Sequence, residues 1–81
     1  MQIDILLFGP QAKLAKTNRI TIELDHAPTV ADAMSMLGEQ LPELVPTLGV
    51  SRLAINHEYA QADDELSEGD EIALIGMVSG G

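Results

Sequence analysis

The sequence contains no cysteine. A disulfide framework, a thiol nucleophile and a cysteine-based metal site are therefore excluded, and no sulfur atom can ride on a side-chain thiol. Aromatic residues are almost missing as well. Phe8 and Tyr59 are the only two, so a core has to be assembled from Ile, Leu, Val, Met and Ala. Positive charge is scarce: 4 Lys and Arg stand against 13 Asp and Glu, for a net charge of −9. That balance repels phosphate backbones and anionic lipid and favours encounter with a basic protein surface, so nucleic acid and membrane are not expected partners. No apolar run approaches the length needed to span a bilayer, and the start Met1-Gln2-Ile3-Asp4-Ile5 lacks a basic segment followed by an apolar one. A cytoplasmic protein is expected. His26 beside Asp25 and His57 beside Glu58 lie far apart without matching ligand spacing, so no metal site is expected.

What is present is 81 residues of which 46% are hydrophobic. This is enough for one domain with one modest core and too little for a large internal cleft. Residues 3–8 are β-branched or apolar and end at Gly9-Pro10, which predicts a strand with Ile3, Ile5 and Leu7 on one face and Asp4, Leu6 and Phe8 on the other. A short segment over 12–16 follows. Residues 19–24 then alternate polar and apolar strictly, as a half-buried strand pairing with the first should. Thr29 can cap a helix with Asp32 at the capping-box spacing, and Val30, Ala33, Met34, Leu37 and Leu41 recur at helical period until Pro42 stops it. Met36 falls off that stripe. Pro46 and Gly49 mark an irregular connection, residues 52–56 read as another strand, and the acidic stretch 61–65 reads as a solvated loop. A turn over 66–70 leads into a last strand over 71–75, apolar enough to be central or nearly so. Strand, strand, helix, strand, strand indicates an α+β sheet with its helix on one face and the other face open to a partner. The expected division is a domain over 1–76 and a reactive tail over 77–81.

The end of the chain carries the chemistry. Gly80-Gly81 can be a frayed terminus. It follows directly from a strand, however, and two residues without Cβ can pass extended through a channel closed to larger ones, leaving the terminal carboxyl open to attack. Adenylation by ATP would turn that carboxylate into an acyl-phosphate anhydride, which a sulfur nucleophile could convert into a thiocarboxylate. Ser79 has no histidine or lysine close in sequence to serve as its base and reads as a small residue in the tail rather than a nucleophile.

Leu66-x-x-Gly69-Asp70-Glu71-Ile72-Ala73-Leu74-Ile75, the Ala54-Ile55-Asn56 strand and the ending Val78-Ser79-Gly80-Gly81 resemble the small, sulfur-carrier subunit of molybdopterin synthase, in the MoaD/ThiS-like family. The resemblance runs essentially end to end and extends to residues 3–8, a helical turn at 12–15 and Thr29-Val30. It implies a ubiquitin-like β-grasp, a mixed sheet with one main helix and an extended Gly-Gly tail. Gly81 would be adenylated by a ubiquitin-activating-like adenylyltransferase that uses ATP, then sulfurated from a donor protein. Gly80, Ser79 and Val78 would thread the tail into the large, catalytic subunit. The sulfur would pass to cyclic pyranopterin monophosphate, with two small subunits on a large-subunit dimer. The small subunit would bind no cofactor of its own and serve as co-substrate. Phe8, Tyr59, Ile75 and Met77 would meet the partner, although a purely structural role for the first three is the plainer alternative. The chain departs from the family in having Gly76-Met77 where members commonly carry Pro-Pro. A sulfur carrier of thiamine biosynthesis and a ubiquitin-like modifier or binding domain are the competing readings.

Overall fold

A computed structural model describes residues 1–76 of the chain. Strand β1 (Gln2–Leu7) pairs antiparallel with β2 (Arg19–Glu23), and Ile3 lies opposite Ile22. Helix α1 (Gly9–Ala15) joins them, a full short helix where the sequence suggested a single turn. Pro10 suits the first turn of a helix, where its missing N–H would have had no partner. Helix α2 (Val30–Gln40) follows and opens with the expected capping box. Asp32 N donates to Thr29 Oγ1 at 3.3 Å and Thr29 N donates to Asp32 Oδ2 at 2.9 Å.

The connection read as irregular is more ordered than its prolines suggested. A 3-10 turn (Pro42–Leu44) and the one-turn helix α3 (Val45–Leu48) fill it, each with proline in its first turn, and Leu44 is fully buried. Strand β3 (Ser51–Ile55) then turns through Asn56 and His57, both at positive φ, into the two-residue strand β4 (Glu58–Tyr59). Strand β4 is too short to leave a periodic signal in the sequence. The 66–70 turn closes with Asp70 N donating to Ser67 O at 3.1 Å, and Gly69 takes the φ of +90° that the turn requires.

The chain closes through β5 (Ile72–Gly76), parallel to β1 and antiparallel to β3, so the sheet order is β2-β1-β5-β3-β4. This is the mixed sheet of a β-grasp, and β5 lies at its centre as its apolar content predicted. Gly76 is the last residue of the strand, in register with Ser51.

Alternation divides the sheet's two faces. Ile3, Ile5, Leu7, Ile22, Leu53, Ile72 and Leu74 are buried, and Val30, Ala33, Leu37 and Leu44 from the helical layer complete the same core. Met34 packs on its margin as expected. Met36 does too, contrary to its position off the stripe, and it shares a hollow with Leu24 and Pro28. No helix among the described residues is long and apolar enough to cross a membrane.

Candidate functional site

Among the described residues, no helix lies over the opposite face of the sheet. Register aligns Leu6 with Ala73, Ala73 with Ala54 and Ala54 with Tyr59, one apolar row across four strands. Two alanines flanked by larger side chains make a depression, because the sheet surface sinks where the side chain is a single methyl group. The resulting groove has a volume of about 380 Å³ and is lined by Leu6, Phe8, Ala54, Tyr59, Ala73 and Ile75, with His57 and Glu71 at one end. The two aromatic residues of the chain both stand at this groove. Phe8 is 53% exposed and Tyr59 54% exposed, which is costly surface for an isolated domain and useful surface for a complex.

Phe8 reaches the groove on the face that strand parity expects, beside Leu6. It is no longer part of β1 but the residue that caps α1, extended at φ −134° and ψ 158°. Ile75 lies opposite Arg52 in the sheet and is half-buried. The Arg52 guanidinium sits over the Tyr59 ring, 5.0 Å from its centroid, and Arg52 Nη2 donates to Ala60 O at 3.4 Å. His57 Nε2 approaches Glu71 Oε2 at 3.1 Å, so its acidic neighbour in space is Glu71 rather than the adjacent Glu58. Among the described residues no group of three His, Asp or Glu side chains converges as metal ligands would.

A second hollow of about 370 Å³ adjoins the first across a ridge made by Phe8 and Ile75. Pro10 and Val50 form its walls, with Gln11 and Gly76 among its lining. Gln11 is only 5% exposed, and sequence reasoning missed it. The available signal was a long polar side chain on the inward side of a short amphipathic segment. Its Nε2 donates to Thr47 Oγ1 at 3.1 Å and to Ser51 Oγ at 2.7 Å, which ties α1, α3 and β3 together.

The expected interface residues Phe8, Tyr59 and Ile75 are thus brought together, and Leu6, Ala54 and Ala73 join them. Met77, Val78, Ser79, Gly80 and Gly81 lie outside the described residues. The central strand β5 contributes Ala73 and Ile75 to the first hollow and Ile75 and Gly76 to the second. Part of the acidic excess has a local structural use. Asp64 Oδ2 accepts from Gln61 N at 2.8 Å, and Asp70 Oδ2 accepts from Ser67 N at 2.9 Å, so each closes a turn.

The family model described as the ThiS family matches residues 5–81. A molybdopterin synthase sulfur carrier subunit from Chlamydomonas reinhardtii is 32% identical over 83 aligned positions, covering 100% of both chains. Among solved structures, SAMP1 from Haloferax volcanii, a small archaeal modifier protein, superposes with a TM-score of 0.83 at 27% identity over 100% of both chains. A chain in the complex of subunits 1 and 2 of the molybdopterin-converting factor from Helicobacter pylori superposes with a TM-score of 0.71 at 26% identity, again over 100% of both. With a family match over nearly the whole sequence and the β-grasp sheet in place, the chain belongs to the ThiS family.

Proposed function

We propose that this chain is the sulfur carrier subunit of a molybdopterin synthase, a co-substrate rather than a catalyst. The observation that carries the reading is the match along the full length of both chains to the Chlamydomonas carrier subunit, in a sequence that ends Gly80-Gly81. The Gly81 carboxylate attacks the α-phosphate of ATP on a partner adenylyltransferase, releasing pyrophosphate and forming an acyl adenylate. Hydrosulfide supplied by a donor protein then adds to the activated carbonyl, and AMP and a proton depart, leaving a thiocarboxylate. Gly80 presents no Cβ to the channel walls, and Ser79 and Val78 follow it in. The thiocarboxylate sulfur then bonds to cyclic pyranopterin monophosphate on the large subunit, and water cleaves the acyl–sulfur bond, returning Gly81 to a carboxylate. ATP belongs to the adenylyltransferase, and the carrier holds no cofactor of its own.

The large subunit covers the groove of Phe8, Tyr59 and Ile75 and takes Met77 beside it, two carriers serving one large-subunit dimer. The pairing of subunits 1 and 2 in the Helicobacter pylori complex supports a partner of this kind. The exposed aromatic side chains and the alanine-floored depression are what an anchor-and-pocket interface uses. Intact mass after incubation with ATP, the cognate adenylyltransferase and a sulfur donor tests the reading. Exchange of one oxygen for sulfur, localised to Gly81 by fragmentation, is the expected result. An unchanged mass with demonstrably active partners would overturn it.

The similarity to the Haloferax volcanii modifier favours a second reading, in which the Gly81 carboxyl forms an isopeptide bond with a lysine of another protein. Conjugates of higher mass, absent when Gly81 is removed, would distinguish it. A carrier for thiamine biosynthesis would gain the same thiocarboxylate but fail to sulfurate the pyranopterin.

A further inference from the structure

The second hollow holds a nearly buried polar atom to which nothing is bonded. Ser51 Oγ donates to Thr47 O at 2.7 Å and Thr47 Oγ1 donates to Leu44 O at 2.7 Å. Each hydroxyl has one hydrogen, so each must accept from Gln11, and this fixes which end of the Gln11 amide carries nitrogen. Both Nε2 hydrogens are thereby committed, and the carbonyl oxygen Oε1 has no donor among the described residues. No fully buried side-chain nitrogen or oxygen among those residues lacks a partner, so Oε1 must reach solvent although Gln11 is only 5% exposed. The hollow that Gln11 lines is where it opens. Phe8, Pro10, Val50 and Ile75 wall the same hollow, and Phe8 and Val50 are exposed. The site is an apolar recess that offers an amide carbonyl and whose side chains hold no free donor.

We propose that this hollow is the anchor site for a tryptophan side chain of the protein that covers the neighbouring groove, with the indole N–H donating to Gln11 Oε1. In the free carrier water can reach the carbonyl. A partner that closes the hollow displaces that water and has to supply a donor or leave a buried acceptor unpaired. Lysine and arginine would carry a desolvated charge between apolar walls. Asparagine, glutamine, histidine and the hydroxyl side chains bring an acceptor of their own, which the side chains of the hollow cannot satisfy. Tryptophan joins a large apolar body to a donor with no lone pair to pair. Its position follows from continuity, since the hollow adjoins the groove across the Phe8–Ile75 ridge and one partner surface spans both. That this partner is the large subunit rests on the carrier reading; the fit of the hollow to an indole does not.

The test titrates 15N-labelled carrier with indole and with benzofuran, which has the same shape and an oxygen in place of the N–H. Indole should move the Gln11 side-chain amide and Val50 amide signals saturably. Benzofuran should bind about tenfold more weakly, since it leaves the carbonyl unpaired. Gly76→Ala supplies a control within the protein: its Cβ would lie 3.5 Å from Gln11 Oε1, an ordinary contact that covers the carbonyl. In that variant the two probes should bind alike, with a Tm no lower than wild type. Equal affinities on wild type, shifts confined to Leu6, Ala54 and Tyr59 of the first groove, or no saturable shift with indole overturn the proposal. With the cognate large subunit, titration calorimetry should show Gly76→Ala binding about tenfold more weakly, and an unchanged affinity overturns the proposal. If wild type does not bind the large subunit while indole still outdoes benzofuran, the carrier reading fails and the indole site stands. Should Gly76→Ala not fold, the comparison of the two probes on wild type decides.

Discussion

Arg52 and Tyr59 face each other across neighbouring strands with the guanidinium 5.0 Å from the ring centroid, on the open face of the sheet. Few cations exist in this chain, and this one is held by an aromatic face and by the Ala60 carbonyl rather than by a carboxylate. The contact holds the Tyr59 ring as one wall of the groove. Removing the ring should therefore affect a partner more than the fold. Tyr59→Ala is expected to lower stability by less than about 1 kcal/mol, the size of an exposed cation–π contact. The same change should weaken binding to the large subunit by at least about 2 kcal/mol, as loss of an interface anchor does. Denaturant unfolding and titration calorimetry measure the two effects separately.

The floor of the groove gives a sharper test, because its alanines are defined by what they leave open. Ala73→Glu places a carboxylate in the centre of the row, between Leu6 and Ala54. In the free carrier that side chain projects into water. In a complex it would be desolvated without a partner, at a cost of several kcal/mol. Binding of the large subunit should be abolished while the far-ultraviolet circular dichroism spectrum stays that of wild type.

The start of α2 can be weakened without touching the core. Thr29→Ala removes the hydroxyl that accepts from Asp32 N and should cost about 1 kcal/mol. For a domain of this size that corresponds to a fall in Tm of roughly 4–8 °C. Asp32→Ala removes the reciprocal bond to Thr29 N, and the double variant should lose less than the sum of the two, since both substitutions open one motif.

Leu74 occupies the centre of β5 with no exposed surface and neighbours Leu7 and Leu53 in register. Leu74→Ala should cost about 2–5 kcal/mol. Against a total stability of about 5–15 kcal/mol for a natural domain, that change should leave a measurable unfolded population in mild urea.

Gly81→Val should leave Tm unchanged and abolish thiocarboxylate formation, since the added branch blocks approach to the reacting carbonyl. Mass spectrometry and a melting curve read the two outcomes independently.

Several of the features these substitutions probe are legible in residue order alone. The periodicity of Val30, Ala33 and Leu37 marks the main helix, the pair Thr29 and Asp32 fixes its start, and Pro42 fixes its end. Strict alternation over 19–24 identifies the buried face of β2. The apolar content of 71–75 places that strand near the middle of the sheet, because a strand with neighbours on both sides is covered more completely than one at an edge. These are local signals, written in spacing and in residue type.

The groove is only half legible in the same way. Parity puts Leu6, Phe8 and Ile75 on the open face, but Ala54 and Ala73 carry no signal of their own, and alanine is equally at home in a helix, a core or a loop. They become a site when antiparallel and parallel registers bring β3, β5 and β1 side by side. Tyr59 joins them through a two-residue strand too short for any pattern to reveal. Thr47 and Ser51 lie 36 and 40 residues from Gln11 along the chain, and nothing in their spacing links them.

The sequence by itself determined which faces are apolar, where the main helix begins and ends, and that no cysteine is present to hold sulfur. Tertiary structure alone decided that two alanines form a groove floor between aromatic walls, and that a buried glutamine ties α1, α3 and β3 together. The physical reason is range. Periodicity, capping and turn chemistry act over a few residues, whereas a groove and a polar network exist only after distant strands and helices have been laid next to one another.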